Sequence, residues 1–454
     1  MKKKFILLVT ITLYVTMYGQ NNAVPVPVVT GPITGPGTIF CASIVDLKPY
    51  GYMEEEYFVE GKAQRYDFQT KPGVATPLDP HYPYKTRIIV RRPVNPEKFN
   101  GTVVVEWLNV SSKYDVDSDW WQLYDYLMRS GYAWVGVSAQ PAGVQSPQGL
   151  RNWNPARYGS LDVGKDTIDL EGPLRFDIYS QAVMALKGNP KVQPLGNLHP
   201  EFIIATGHSR SAWMLTFYYN LFQPITGVID GFMIRGQGPI KLRTDIPAKV
   251  FKINAETDLI EFKQVEVRQP DSDRLVTWEL AGTSHADQTF LDAYEAINRR
   301  DFGSFTPLSC DFPMCSLIPF HYGFEAAMDH LNRWIRLNIT PPAGIPITVQ
   351  QTDPDVIIER DSLGNALGGI RLPQFDVPVA MNTGKNKGQN YFCRAYGTHK
   401  EFDKKTLKSL YPTHQIYMKQ FDASVQKNLR AGYILEDDTS KMLNEARDLS
   451  TMWE

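Results

Sequence analysis

The stretch of sequence that decides the fold is Glu201-Phe-Ile-Ile-Ala-Thr-Gly-His-Ser-Arg-Ser-Ala-Trp-Met-Leu215. Its apolar first half is typical of a buried strand, and the residues after Ser209 follow a helical pattern. The small residues Gly207 and Ser211 stand two positions before and two after this serine, as a crowded turn requires when it lifts a hydroxyl clear of a sheet. We interpret Ser209 as a nucleophile at a strand-to-helix turn. The alternative is a plain buried turn.

Strand-like and helix-like segments alternate on both sides of this turn. The strand-like runs cover residues 87–91, 101–109, 132–138, 227–234, 248–254 and 275–281, and the helical patterns cover 119–131, 174–187 and 211–222. Such alternation predicts an α/β fold with a mainly parallel central sheet and helices on both faces. In such sheets, ligands bind beyond the carboxyl ends of the strands.

A serine nucleophile needs a base, and the base needs an acid that orients it. Glu256 and Asp258 follow one predicted strand directly, and His285 follows the next strand in a glycine-containing loop. We take His285 as the base and Asp258 as the acid, with Glu256 as a rival for the second role. Capping of the following helix is the alternative for both carboxylates. His321 and His330 are the alternatives for the base.

The chain resembles the α/β-hydrolase superfamily, and within it a family of exported bacterial proteins described as "alpha/beta hydrolase domain". The order serine, acid, histidine is the order of that fold. The resemblance covers residues from about 85 to 450, and its motifs lie at 103–109, 131–140, 207–211, 256–258, 281–285 and 368–373. It implies a serine hydrolase with an α/β-hydrolase fold, inserted loops and a C-terminal extension, without defining a substrate.

An acyl-transfer site also needs donors for the oxyanion. The predicted donors are the backbone amide of Arg210 and a group on the loop that carries Asn109 and Val110. Gln140, at the end of the strand 132–138, can also line the pocket. The pair Ser209-Arg210 is similar to the serine-arginine pair of glucuronoyl esterases, which implies a role for Arg210 in polarising an ester; a structural role at the turn is the alternative.

The N-terminus predicts export. Lys2, Lys3 and Lys4 precede the apolar run 5–17, which is too short to span a bilayer, and polar residues follow it. We expect a signal peptide over residues 1–19, a secreted or periplasmic location, and no membrane span in the mature chain. The balance of 47 basic to 49 acidic residues gives no electrostatic case for binding nucleic acid.

Export makes disulfides chemically reasonable for the four cysteines. Cys310 and Cys315 can staple a short loop and leave Cys41 and Cys393 as a second pair, although three connectivities are possible. The scattered histidines and the absence of a Cys-x-x-Cys motif predict no metal site and no cofactor.

The predicted organisation is a signal peptide (1–19), an extended lead-in (20–60), a hydrolase core with inserted loops (61–345) and a C-terminal extension packed on the core (346–454). The predicted function is cleavage of a carboxylic ester, either a small molecule or a carbohydrate-linked ester, by a serine triad through an acyl-enzyme. The alternatives are a catalytically silent fold that binds a ligand or polysaccharide, an amidase or peptidase, and an acyltransferase with the same triad.

Overall fold

The structure is a computed structural model that describes residues 24–67, 73, 75–164, 173–352 and 355–454. The predicted signal peptide lies outside these residues. Within them, nine strands form one sheet in the order β1-β2-β3-β5-β4-β6-β7-β8-β9. The strands are β1 Val28–Thr30, β2 Tyr52–Asp67, β3 Thr76–Pro93, β4 Thr102–Trp107, β5 Ala133–Val137, β6 Phe202–His208, β7 Gly231–Arg235, β8 Lys249–Ala255 and β9 Leu275–Leu280.

Strands β4 to β9 run parallel to one another, and β1, β2 and β3 form antiparallel pairs at one side. This arrangement confirms the predicted mainly parallel α/β sheet. Every residue of β4 and β5 is buried, which explains why their sequences are almost wholly apolar. Residues 28–30 and 52–60 pair within this sheet, so it takes in part of the predicted lead-in.

Helices connect and cover the strands. They are α1 Ser118–Arg129, α2 Pro141–Val144, α3 Leu150–Trp153, α4 Pro155–Tyr158, α5 Arg175–Lys187, α6 Arg210–Phe217, α7 Gln223–Thr226, α8 Glu256–Glu261, α9 Gln288–Phe302, α10 Phe320–Leu337, α11 Pro373–Asp376, α12 Cys393–Tyr396, α13 Lys404–Leu410, α14 His414–Ala431 and α15 Glu436–Asp448. Short 3-10 helices cover Lys48–Tyr50, Pro96–Lys98, Gln264–Val267 and Leu449–Trp453. Two hairpins, β10 Val349–Thr352 with β11 Asp355–Ile358 and β12 Ala380–Thr383 with β13 Thr398–Glu401, belong to the C-terminal extension.

The helix predicted over 211–222 is divided in the structure. It begins as α6, becomes a π-helix over Tyr218–Phe222 and continues as α7. Pro224 has no amide hydrogen, so a regular α-helical hydrogen-bond pattern cannot run through this position. The stretch from 140 to 164 contains the short helices α2, α3 and α4.

The C-terminal extension covers the edge of the central sheet. The Ala281 amide donates to the Ile370 carbonyl at 3.0 Å, and the Ile370 amide donates to the Glu279 carbonyl at 2.8 Å. Ile370 therefore continues the hydrogen bonding beyond β9, and it belongs to the same buried core as the strands. Because an uncovered edge strand invites pairing with other chains, this cover protects the sheet.

The cysteine pairing differs from the one suggested by sequence proximity. Cys310 is bonded to Cys393, with a Cα–Cα distance of 5.6 Å, and Cys41 and Cys315 are free and buried. The Cys41 thiol donates to Asp117 Oδ1 at 3.1 Å. Position in the fold thus overrides closeness along the chain: the disulfide joins the loop before α10 to α12.

Candidate active site

Ser209 occupies the sharp turn between β6 and α6. Its backbone has φ 58° and ψ −118°, a strained conformation for a residue other than glycine. The Ser209 amide donates to the Arg235 carbonyl at 2.9 Å, which ties the turn to β7. A Cβ atom at Gly207 would lie 3.0 Å from Ser211, so the small residues of the motif match a crowded turn.

His285 and Asp258 meet beyond the carboxyl ends of neighbouring strands. Asp258 lies in α8, directly after β8, and His285 lies in the loop after β9. His285 Nδ1 is 2.6 Å from Asp258 Oδ1, and both residues are buried. The Ala255 amide donates to Asp258 Oδ2 at 2.7 Å. With one carboxylate oxygen held by the backbone, the other is fixed in the direction of the histidine ring.

Aromatic rings hold the His285 imidazole on two sides. The ring of Phe262 stacks on it with a centroid distance of 4.2 Å, and the ring of His208 lies at the same distance on another side. Burial lowers the pKa of His208 well below its usual value, so His208 packs as a neutral ring. These ring contacts give the His285 imidazole a defined orientation.

Gly236 is a site residue that the sequence reasoning missed. It follows β7 with φ +62°, and a Cβ atom there would lie 2.8 Å from the His285 ring and 3.1 Å from Asp258 Oδ1. A larger residue would push apart the pair that Asp258 and His285 form. The sequence did contain a signal for this residue: a glycine comes directly after β7, the strand that neighbours β6, at whose end Ser209 lies.

Glu256, the rival acid, bonds elsewhere. Its Oε1 accepts from Arg360 Nη2 at 2.6 Å and from the Gly384 amide at 3.0 Å, and its Oε2 accepts from the Gly282 amide at 2.8 Å. The structure therefore brings Asp258, rather than Glu256, against His285. The carboxylate of Glu256 connects the loop after β8 to the C-terminal extension.

The other two candidate histidines lie in α10, away from the serine. His330 Nε2 is 2.8 Å from the Gly432 carbonyl. The ring of His321 packs 4.1 Å from the ring of Tyr322. Neither residue lines the cavity that contains Ser209.

Ser209, Arg210 and His285 line one cavity of about 670 Å³, and Asn109 contributes to its wall. Arg210 is the first residue of α6, where backbone amides have no carbonyl partner within the helix. The amide predicted to bind the oxyanion is thus placed beside the serine. The cavity is within the range of small-molecule sites.

The remaining predicted pocket residues have structural contacts. Asn109 donates its amide to the Val116 carbonyl at 2.9 Å and its side-chain nitrogen to the His208 carbonyl at 2.8 Å, so these two donors hold the loop. Val110 is buried outside the cavity lining. Gln140, expected at the pocket, is also outside it and accepts from Trp107 Nε1 at 2.8 Å.

The described residues contain no group of three or more histidine, cysteine or acidic side chains that could hold a metal ion. Nor is any helix among them both long and apolar enough to cross a membrane.

A family model described as "Alpha/beta hydrolase domain" matches residues 23–444, and the chain belongs to this family. The family assignment confirms the resemblance inferred from the sequence motifs. No curated protein matches the chain.

Several solved structures of esterases are similar to the chain. Fungal esterases from Rhizomucor miehei match with 10% identity over 54% of this chain and 82% of theirs, with a TM-score of 0.29. The esterase Est22 matches with 13% identity over 56% of this chain and 81% of its own, with a TM-score of 0.32. A rice-cell-wall-degrading esterase from Xanthomonas oryzae matches with 9% identity over 41% and 43% of the two chains, with a TM-score of 0.24. Similarity this low leaves the family model as the basis of the assignment.

Proposed function

We propose that the protein is an exported serine hydrolase that cleaves a carboxylic ester. The observation that carries this proposal is the pair formed by His285 and Asp258, which faces the same cavity as a serine in a strained strand-to-helix turn. A buried turn without a catalytic role would not require a base and an acid on the carboxyl-end loops after β8 and β9.

In the proposed reaction, Ser209 Oγ attacks the ester carbonyl carbon, and its proton passes to His285 Nε2. Asp258 holds Nδ1 protonated and stabilises the imidazolium that forms. The Arg210 amide donates to the oxyanion of the tetrahedral intermediate. On collapse, the C–O bond to the alcohol breaks and His285 protonates the leaving oxygen. Water then attacks the acyl-enzyme and gives a proton to His285 Nε2. The bond between the acyl carbon and Ser209 Oγ breaks, His285 returns the proton to Oγ, and the carboxylic acid is released.

A small fluorophosphonate probe and a set of p-nitrophenyl esters test the proposal. We expect the probe to label Ser209 stoichiometrically, identified by peptide mass, and the labelled protein to lose ester hydrolysis. Ser209→Ala is expected to lose both labelling and turnover. Ser211→Ala is the matched control, because Ser211 is a buried serine on the same turn that is not assigned to the reaction. Folded wild-type protein that neither reacts with the probe nor hydrolyses any ester would overturn the assignment.

Two observations support export. The sequence of residues 1–19 has the composition of a signal peptide. The bond between Cys310 and Cys393 is of the kind that persists in oxidising compartments. N-terminal sequencing of the protein from the producing cells tests this part: we expect a chain that begins after the apolar run, and an intact N-terminus in the cytoplasm would contradict it.

A further inference from the structure

Part of the cavity wall is built from two segments that lie far apart in sequence. Residues 304–308 form one segment and residues 391–396 the other, and both line the cavity that contains Ser209. The disulfide between Cys310 and Cys393 joins them. We refer to these two segments as the cross-linked wall.

Aromatic rings dominate the surface that this wall and α9 present. On the inner side, Phe290 and Tyr294 of α9 stack nearly parallel, 5.8 Å apart at 17°, and Phe305 meets Tyr294 edge-on at 6.1 Å. At the rim, Tyr391 and Phe392 pack edge-to-face, 6.1 Å apart. Rings in these arrangements favour a further planar ring over a flexible chain of the same size, because offset and edge contacts add to apolar burial.

The aromatic side chains at the rim of the cavity are unusually exposed for large apolar residues. The exposed fraction is 64% for Tyr391, 46% for Phe392 and 42% for Trp213, which lies across the opening on α6. Large apolar side chains grouped around a cavity mouth mark a binding surface more often than scattered single ones do.

Two of the cationic side chains that line the cavity, Arg394 and Lys263, are paired within the protein. Arg394 Nε lies 2.7 Å from Glu261 Oε2, and its guanidinium stacks over the Tyr391 ring at 4.5 Å. Lys263 Nζ lies 3.4 Å from Glu266 Oε1. These cations are therefore already neutralised, which favours an uncharged substrate over an ester that carries a free carboxylate.

Polar side chains on the inner wall also bond to one another. The hydroxyls of Ser112 and Tyr294 are 3.0 Å apart. Asn298 accepts from the Tyr114 hydroxyl at 2.8 Å and donates to the Tyr294 carbonyl at 2.7 Å. A sugar ring needs unoccupied hydrogen-bond partners to replace its bound water, so this surface suits an apolar ring better than a pyranose.

From these contacts we infer that the substrate is a neutral ester that carries an aryl ring, in its acyl or its alcohol part, and that Tyr391 and Phe392 select it. This inference rests on the proposed serine hydrolase function. It goes beyond that function by naming the substrate class and the residues that determine it.

Matched pairs of esters test the inference without changing the chemistry at the carbonyl. Methyl 3-phenylpropanoate against methyl nonanoate places the ring in the acyl part, and 2-phenylethyl acetate against octyl acetate places it in the alcohol part. We expect kcat/KM for the ring ester to exceed that for the alkyl ester by at least about tenfold in one of the two pairs. Equal values in both pairs would overturn the inference, as would a larger kcat/KM for an acetylated methyl glucoside than for the better of the two ring esters.

The double variant Tyr391→Ala/Phe392→Ala tests the named residues. We expect kcat/KM for the preferred ring ester to fall about tenfold, mainly through KM, and that for its alkyl partner to fall less than about threefold. Phe312→Ala is the matched control: Phe312 is 45% exposed, lies on the same loop as Cys310 and is outside the cavity lining. An equal loss for both esters, or the same selective loss in the control, would contradict the assignment.

Labelling by the small fluorophosphonate distinguishes a failure of the substrate inference from a failure of the proposed hydrolase function. Labelled Ser209 with no preference for a ring overturns the substrate inference alone. An absence of labelling together with an absence of ester hydrolysis overturns both. The wild-type ester pairs decide the substrate class even where a variant folds poorly.

Discussion

Two carboxylates stand two residues apart after β8, and their hydrogen bonds separate their roles. Asp258 faces the His285 ring, whereas Glu256 bonds to Arg360 and to two backbone amides. A negative charge beside Nδ1 fixes the tautomer that leaves Nε2 free to accept the serine proton. Glu256 has no contact of this kind with the His285 ring, and its hydrogen bonds stabilise the loop after β8.

We expect Asp258→Asn to lower kcat by about 10³ to 10⁴-fold with little change in KM, because the amide holds the wrong tautomer of His285. Glu256→Gln is the matched comparison, with the same loss of charge two residues away. It should lower the free energy of unfolding by about 1–3 kcal/mol and change kcat of the folded enzyme less than tenfold. Steady-state kinetics with urea unfolding of both variants measures this. Equal, mild losses of kcat would place the acid elsewhere.

The chain order of the residues proposed as a triad could be predicted from sequence, but the choice between Glu256 and Asp258 could not. Parallel strands end at the same edge of a sheet, so residues after the strands 248–254 and 275–281 were expected near Ser209. The choice between Glu256 and Asp258 depends on Arg360 and Gly384, which lie 104 and 128 residues away from Glu256. No local pattern reports contacts at such separations.

The imidazole of His321, which is partly buried and whose two ring nitrogens are inaccessible to solvent, predicts how stability depends on pH. Its ring nitrogens have no hydrogen-bond partner, and burial lowers its pKa to about 3, below the value of 6.5 expected in the unfolded chain. The unfolded state therefore binds a proton that the folded state excludes. The contribution of the neutral His321 ring to the free energy of unfolding is present above pH 6.5 and is lost as the pH falls below this value. The loss is about 2 kcal/mol between pH 7 and pH 5.

Replacing His321 tests this directly. Between pH 7 and pH 5, the free energy of unfolding of His321→Leu should fall by about 2 kcal/mol less than that of the wild type. The reason is that no imidazole remains at this position to take up a proton. Urea unfolding at the two pH values measures the difference. His199→Gln, which replaces an exposed imidazole, should follow the wild-type pH dependence. An unchanged pH dependence in His321→Leu would show that other groups control the acid response.

Among the elements, the buried strands were predicted most closely. The strand predicted over 248–254 is β8, Lys249–Ala255, and that over 275–281 is β9, Leu275–Leu280. Both are apolar runs bounded by turn residues, so the pattern is local. The π-helix at Tyr218–Phe222 and the bond between Cys310 and Cys393 were not predicted. The second depends on chain segments 83 residues apart.

Removing the disulfide of the cross-linked wall should affect substrate binding more than the chemical step. The disulfide joins the two segments of the wall. We expect the Cys310→Ser/Cys393→Ser variant to raise KM several-fold for the preferred ester and to change kcat less than about threefold, because loosened walls lose binding contacts that are equal in the ground and transition states. Steady-state kinetics measures the split.

A reducing agent provides the control for this variant. Reduction of the wild type should reproduce the rise in KM, and the same treatment should have no further effect on Cys310→Ser/Cys393→Ser. The buried free thiols of Cys41 and Cys315 remain in both proteins, so they cannot account for a difference between them. A loss of kcat with KM unchanged would mean that the disulfide supports the triad instead of the wall.

At the scale of the whole molecule, the C-terminal extension and the hydrolase core share one interior. Ile370, Leu372 and Phe375 are fully buried in the same cluster as the central strands. Thr257, between the two carboxylates, donates its hydroxyl to the Gly384 carbonyl at 2.7 Å. The Thr257 hydroxyl also accepts from the His285 amide at 3.2 Å. The extension thus supports both loops that carry the base and the acid.

Deleting residues 346–454 is therefore expected to prevent folding of the remainder. The deletion uncovers the edge of β9, leaves the buried carboxylate of Glu256 without Arg360 and Gly384, and exposes apolar surface that the extension covers. We expect a chain ending at residue 345 to be insoluble or to unfold without a cooperative transition. Co-expression with residues 346–454 as a separate chain should restore solubility and fluorophosphonate labelling, since the contacts between the two parts are non-covalent apart from one disulfide. A soluble, labelled core without the extension would show that residues up to 345 fold independently.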